Sequence, residues 1–268
     1  MLKVTLGERS LPALGVGTYA LDKSAASADA LRFAVDAGLE VIDCATYYHN
    51  EDFIGEVLKP VRDRVFLVGK VLPSEASYTG TRRALELSLR RLQTDCLDLY
   101  LLHWKGPYPL SETVRALRDL RRAGLIRNWG LSNVDLPELL SQEGAEECAA
   151  SEILYNLYVR DMEYDYLPWA QNGKAILAYS PLGEGRLLRR PEPWLTGLAE
   201  RKGVSVAALL TAFVMRSGRV IAIPKMGSVA HVKDCLTALD VTLDEEDVME
   251  IDRHCPPPVR KMPLRPGW

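Results

Sequence analysis

The sequence predicts an α/β protein built as a closed (β/α)8 barrel, with a short N-terminal β-hairpin and an extra C-terminal helix. Three observations predict it. Eight apolar runs of strand length alternate with segments of helical period along the chain. The runs are apolar nearly throughout, as parallel strands covered on both faces are. The length of 268 residues matches the roughly 250 that eight strand–helix units take.

In chain order, residues 3–11 alternate around a Gly7-Glu8 turn and read as a hairpin that plugs one end of the barrel. The strand runs follow at 14–18, 40–45, 65–71, 97–103, 126–132, 151–157, 175–180 and 220–223. Between them, amphipathic helices are expected at 27–37, 81–92, 112–122 and 206–216, with a last helix at 244–254. Pro256-Pro257-Pro258 then begins a tail, of which 259–268 are the final ten residues. A doubly wound open sheet is the rival, but its phosphate-binding turn needs three glycines opening a helix. Leu14-Gly15-Val16-Gly17-Thr18-Tyr19 lacks the third. No linker or composition break divides the chain, so 1–268 is expected to be one domain in the form of a TIM barrel.

Composition narrows the function classes. With 33 Lys+Arg against 36 Asp+Glu and a net charge of −3, neither disorder nor nucleic-acid binding is favoured. No signal-peptide run opens the chain, and nothing approaches the roughly 20 apolar residues of a spanning helix. A cytoplasmic protein without a membrane partner is expected. Five cysteines in odd number and without a C-x-x-C pair disfavour a disulfide framework and a structural zinc, so no metal site is assigned. Reduced, mostly buried thiols are expected.

The active site of such a barrel is built at the C-terminal ends of its strands. Four titratable residues stand there: Asp43 on the second strand, Tyr48 in the loop after it, Lys70 on the third and His103 closing the fourth. Alone, a histidine at a strand end is more often structural. An ammonium within Val, Phe and Leu is harder to dismiss, because it must find a carboxylate or lose its proton, and Asp43 is the adjacent candidate. A charged Lys70 is expected to lower the Tyr48 pKa from about 10 and make it a general acid, with His103 orienting a substrate carbonyl. The set suits delivery of a proton to an oxygen becoming an alkoxide, as in hydride reduction of a carbonyl.

The same residues carry a resemblance. Ile42-Asp43-Cys44-Ala45, Tyr48-His49-Asn50-Glu51, Lys70 and Leu102-His103-Trp104 resemble, in order and setting, the Asp, Tyr, Lys and His tetrad of the aldo-keto reductase family, and the chain is similar to its compact bacterial members. The likeness continues through Gly15 to Tyr19, Gly130-Leu131-Ser132-Asn133, Ala178-Tyr179-Ser180-Pro181-Leu182-Gly183 and Ile223-Pro224-Lys225. It implies reduction of aldehydes and ketones with NADPH, without metal or flavin. It further implies that Ser132 and Asn133 bond the nicotinamide carboxamide and that Tyr179 stacks on the ring. Leu182 would begin the loop bordering the pyrophosphate, and Lys225 would pair with the adenosine 2′-phosphate. Gly17, Thr18, Asp43 and Ser180 complete the implied cofactor-facing set. Taken without the resemblance, Ser132 and Asn133 read equally well as a helix cap and Tyr179 as core packing.

The chain departs from the pattern at several positions. His49 stands where the family usually has Gly, and Glu152 where a Gln often completes the carboxamide contact. Ionised, Glu152 can accept from the carboxamide nitrogen but cannot donate. Beyond Lys225 come Met226, Gly227 and Ser228. His231 occupies the place of an expected arginine, and Asp234 and Cys235 that of a Glu-Asn pair. Histidine lacks the permanent charge and fork of arginine, so NADPH is expected to be preferred with a smaller margin, and NADH to serve more weakly.

The substrate pocket is expected from Tyr19, Tyr47, Leu72 and Trp104, with Lys105 and Arg186 near the rim. Aromatic walls around few polar groups fit a small organic carbonyl, with methylglyoxal the dicarbonyl to which the resemblance leans. The stretch after His103 runs only over 104–110 before a helix begins, which predicts a shallow, permissive site. A monomer is expected rather than an oligomer. Two other readings are kept: a Schiff-base lyase using Lys70, and an NADPH-binding redox-sensor module with slow turnover.

Overall fold

Each barrel strand ends where a short polar or glycine-bearing loop interrupts an apolar run, and the loops at one end carry the residues of interest. The structure, a computed structural model, describes residues 2–264; Met1 and 265–268, the last of the expected tail, lie outside the described residues. The N-terminal hairpin comprises β1 (Lys3–Leu6) and β2 (Arg9–Pro12), antiparallel in register Lys3 to Pro12. Eight parallel strands follow: β3 (Val16–Gly17), β4 (Val41–Asp43), β5 (Phe66–Val71), β6 (Leu97–Leu102), β7 (Ile126–Ser132), β8 (Ala150–Leu154), β9 (Ala175–Tyr179) and β10 (Val220–Ala222). They pair in sequence order, and bridges from Leu14 to Ala222 and from Gly17 to Lys225 join the first strand to the last. The seam is tight at Gly17, where a Cβ would stand 2.5 Å from the Ile223 carbonyl oxygen.

The helices are α1 (Ala25–Asp36), α2 (Glu51–Leu58), α3 (Tyr78–Arg91), α4 (Leu110–Arg122), α5 (Leu136–Leu140), α6 (Tyr166–Ala170), α7 (Arg186–Arg189), α8 (Pro193–Lys202), α9 (Val206–Met215), α10 (Val229–Thr237) and α11 (Glu245–His254). Serines start several of them by accepting a backbone N–H of the first turn. Ser24, Ser77, Ser205 and Ser228 do this for α1, α3, α9 and α10. Asp244 and Asp247 form a reciprocal capping box on α11. Buried Arg160 pairs with Glu163 at 2.8 Å and with Asp252 of α11 at 2.7 Å, which fastens the extra helix to the loop after β8.

Differences from the expected boundaries have local causes. The first strand shortens to two residues because Leu14 makes only an isolated bridge. The sixth stops at Leu154 because Asn156 Oδ1 accepts the N–H groups of Tyr158 and Val159 and turns the chain. The hairpin does plug the end away from the strand C-termini. Val4, Leu6 and Leu11 are buried, β1 packs against β9, and Gly7 (φ 58°) lies so close to Asn128 of β7 that a Cβ would meet its Oδ1 at 2.4 Å. All five cysteines are free, four of them buried and Cys96 partly so. Among the described residues no helix is long and apolar enough to cross a membrane.

Candidate active site

Lys70 is fully buried near the end of β5. Its Nζ lies 2.5 Å from Asp43 Oδ1 on neighbouring β4 and 3.2 Å from Glu152 Oε1 on β8. β8 is three strands away across the barrel, so Lys70 and Glu152 both point into the interior. Nζ also donates to the Tyr48 hydroxyl at 3.1 Å and to the Cys44 carbonyl at 3.3 Å. Tyr48 closes the helical turn Thr46–Tyr48 after β4, which Thr46 ties to β5 by donating to the Lys70 carbonyl. His103 follows β6, its N–H bonded to the Val71 carbonyl, and its ring stands edge-on to Tyr48 at 5.6 Å. The four expected catalytic residues therefore meet, and Glu152 makes a fifth.

Burial dominates the electrostatics. It works against the Lys70 ammonium, but Asp43, then Glu152 and Tyr48, together outweigh it and carry its pKa well above the ordinary lysine value. Burial pushes the Asp43 and Glu152 carboxyls up, and for Glu152 the Asp43 charge adds to the rise, while one ammonium serves both. Burial likewise pushes the Tyr48 phenol up, and Lys70 reverses only part of that. The expectation of a lowered tyrosine pKa is thus corrected. The hydroxyl keeps its proton throughout the working pH range and gives it up only to a strong base formed against it. A Lys70 held charged beside Asp43 is also not the free amine a Schiff base requires, which argues against the lyase reading.

Burial, and then the Lys70 charge, lower the His103 pKa to about 2. The imidazole is neutral in the folded protein, with one N–H to donate. Below about pH 6.5 the unfolded chain takes up a proton here that the folded chain refuses, so stability falls on acidification by up to about 1.4 kcal/mol per pH unit. In denaturant titrations a His103→Asn variant is expected to lose less stability than the parent between about pH 6.5 and 4.5. Parallel losses would mean that the imidazole is not held neutral.

Above this cluster lies a cavity of about 160 Å³ walled by Tyr19, Tyr47, Trp104, Tyr179 and their neighbours. Tyr19 stacks on Tyr47 at 6.5 Å, and Trp104 meets Tyr47 edge-on at 5.7 Å. Leu72 is not among the lining residues. Its backbone starts the turn Pro73–Glu75, with its carbonyl accepting the Glu75 N–H. Lys105 pairs with Glu138 at 2.6 Å, and Arg186 lies 3.8 Å from Glu184, which itself borders the cavity.

Ser132 and Asn133 border the cavity and are not a helix cap, since Asp135 holds that place for α5. Asn133 Nδ2 donates to Ser132 Oγ at 3.0 Å, and its Oδ1 accepts from the Tyr179 hydroxyl at 2.8 Å. Tyr19, Ser180 and Glu184 belong also to a second cavity of about 440 Å³, which runs past Leu182 to Lys225, His231, Asp234 and Cys235. Gly17 and Thr18 line neither cavity. They hold the seam and the β4 end instead, Thr18 donating to the Asp43 carbonyl at 2.9 Å. Ser228 is occupied in capping α10 through the His231 N–H, and Asp234 accepts from Ser205 at 2.9 Å.

Sequence reasoning missed Glu184, which borders both cavities from the turn Gly183–Gly185. The available signal was an acid flanked by two glycines. It also missed why position 49 favours glycine. Ala20, His49, Asn133, Ser180 and Glu184 all adopt left-handed φ between 49° and 56°, each on a loop leaving the C-terminal end of a strand. Such strain is retained where a site over-determines the backbone, and histidine enters this region more readily than most side chains.

Comparison with known proteins agrees with this geometry. The profile of the Aldo/keto reductase family matches residues 13–255. A methylglyoxal reductase of Escherichia coli (strain K12), YeaE, is 39% identical, with 96% of each chain covered. A glyoxal reductase of Bacillus subtilis (strain 168) is 31% identical, covering 90% of this chain and 88% of the relative. Among solved structures, an aldo/keto reductase from Klebsiella pneumoniae in complex with NADP and acetate superposes with a TM-score of 0.93 at 42% identity, covering 98% of this chain and 99% of that one.

Proposed function

Because the chain belongs to the aldo/keto reductase family, we propose that it reduces small aldehydes and dicarbonyls such as methylglyoxal to alcohols, with NADPH as hydride donor. The observation that carries this reading is the 3.1 Å contact of a fully buried, charged Lys70 with the Tyr48 hydroxyl at the floor of an aromatic-walled cavity. Relatives that act on methylglyoxal and glyoxal support the substrate class.

The groove fits the cofactor. It is made of the two cavities that share Tyr19, Ser180 and Glu184, and the polar Ser132–Asn133 pair with Tyr179 in one and the exposed Lys225 and His231 beside the N-terminus of α10 in the other suit a nicotinamide and a 2′-phosphate respectively. NADPH, when bound, supplies the hydride. The chain's own residues do the rest. Tyr48 donates a proton to the carbonyl oxygen as it turns into an alkoxide, and the Lys70 ammonium stabilises the resulting phenolate. Asp43 keeps Lys70 charged, and neutral His103 donates a hydrogen bond that orients the carbonyl.

Steady-state NADPH oxidation against a panel of aldehydes, ketones and dicarbonyls, repeated with NADH, tests the reading. Turnover is expected for small dicarbonyls with both nucleotides and a higher kcat/KM with NADPH. Equal efficiency with both, or a preference for NADH, would overturn the assignment of Lys225 to the 2′-phosphate. Tight nucleotide binding with no reduction across the panel would overturn the enzyme reading.

A further inference from the structure

The buried charges of the site do not balance. Asp43, Lys70 and Glu152 are each at most 2% exposed, and both carboxyls reach the same ammonium. The groups facing Glu152 are Asp43 from β4, Lys70 from β5, Tyr48 from the turn after β4 and Tyr179 from the end of β9. Lys70 is the one cation among them. No donor from the described residues reaches Glu152 Oε2, while the Asp43 and Glu152 carboxyls lie within hydrogen-bonding reach of each other. Two carboxyls that close form a hydrogen bond only with a proton between them. Ionising both would also leave one uncompensated charge in a water-poor interior, which is strongly disfavoured.

We propose that Glu152 holds in the resting site the proton that the reaction consumes, delivers it through Lys70 to Tyr48, and as a carboxylate then offsets the positive charge of the oxidised nucleotide. The inference rests on the nicotinamide-dependent reduction proposed above. Two electrons and one hydrogen reach the carbonyl carbon as hydride, the C=O π bond breaks, and its oxygen takes the Tyr48 proton. Tyr48 takes a proton from Lys70 Nζ at 3.1 Å, and Lys70 takes one from Glu152 Oε1 at 3.2 Å. The nucleotide gains one positive charge and Glu152 one negative, so the buried site has the same net charge before and after. Tyr48 and Lys70 end as they began.

Isothermal titration of the full chain with NADP+ and with NADPH near pH 7, in buffers of different ionisation enthalpy, counts the protons exchanged on binding. Both nucleotides carry the same 2′-phosphate, so protonation changes at Lys225 and His231 drop out of the difference between them. NADP+ is expected to release close to one proton more than NADPH, and its affinity to rise by up to about tenfold per pH unit while that of NADPH does not. Glu152→Gln, which keeps size and shape, is expected to abolish both differences. In a single turnover followed with a pH indicator, proton uptake from solvent is expected to lag NADPH oxidation. Equal proton counts for the two nucleotides in the parent protein, persistence of the difference in Glu152→Gln, or uptake in step with oxidation would each overturn the inference and leave the reductase reading standing. If Glu152→Gln does not fold, the parent comparison alone decides. Failure of both nucleotides to bind would overturn the reductase reading and the inference with it.

Discussion

Tyr48→Phe is expected to lower kcat for carbonyl reduction by about 10²- to 10⁴-fold and to leave NADPH affinity within about twofold. The hydroxyl's one bond in the site is to Lys70, which keeps Asp43 and Glu152 without it. Loss of that bond costs at most about 1.5 kcal/mol of stability, and the ring retains its edge contacts with Tyr19 at 5.3 Å and His103 at 5.6 Å. The deficit therefore falls on the proton delivered to the forming alkoxide. Steady-state kinetics on methylglyoxal beside a fluorescence titration with NADPH separates the two quantities. Turnover within a few-fold of the parent would remove Tyr48 from the donor role, and a matching loss of affinity would recast it as a binding residue.

Lys70→Met carries the largest expected effect on stability. Methionine fills the stem but removes the cation shared by Asp43 and Glu152, leaving the carboxylate charge that Lys70 offsets buried and unpaired. Breaking such an arrangement from one side costs about 3–5 kcal/mol. The sign of its pH dependence follows from the direction of the carboxyl shifts, which are upward even with lysine present. A carboxyl whose folded pKa is raised contributes its stability below the unfolded value of about 4 and loses it as pH rises toward the folded value. The deficit of the variant against the parent is thus expected to be small near pH 4 and large near pH 7 in urea unfolding. A deficit independent of pH would show that lost packing, and not the unpaired carboxyls, is responsible. Carbonyl reduction is expected to fall by at least 10²-fold in the same variant, because the phenolate loses its supporting charge.

What could be read in advance follows a physical division. Asp43, Lys70 and His103 were visible because a charge or imidazole at the end of an otherwise apolar strand is itself anomalous, and the period of eight such strands names the barrel. The direction of the Tyr48 shift was not visible, because it turns on whether burial of the hydroxyl outweighs the Lys70 charge, and that balance exists only in the folded site. Glu152 could be named from its place in the chain. That it reaches Lys70 from across the barrel could not, since β5 and β8 are brought face to face only by closing the sheet. Glu184 was missed because its flanking glycines mark a turn without saying that the turn lies beside the site; its left-handed backbone sets it there only in the folded barrel. The 14–18 strand shrank because the seam needs only two bridges to close.

The hairpin at the far end has a practical meaning for altering this molecule. β1 and β2 seal the barrel where no substrate enters, with Val4, Leu6 and Leu11 in the core, while every cavity-lining tyrosine belongs to the opposite rim. Endurance and selectivity are thereby written on separate positions. A library confined to Tyr19, Tyr47, Trp104 and Glu184 explores new carbonyls against a constant thermal background, and substitutions around Gly7 and Asn128 adjust shelf life without retuning what is reduced. The two can be optimised in parallel and combined, because positions that share no contact add their free energies.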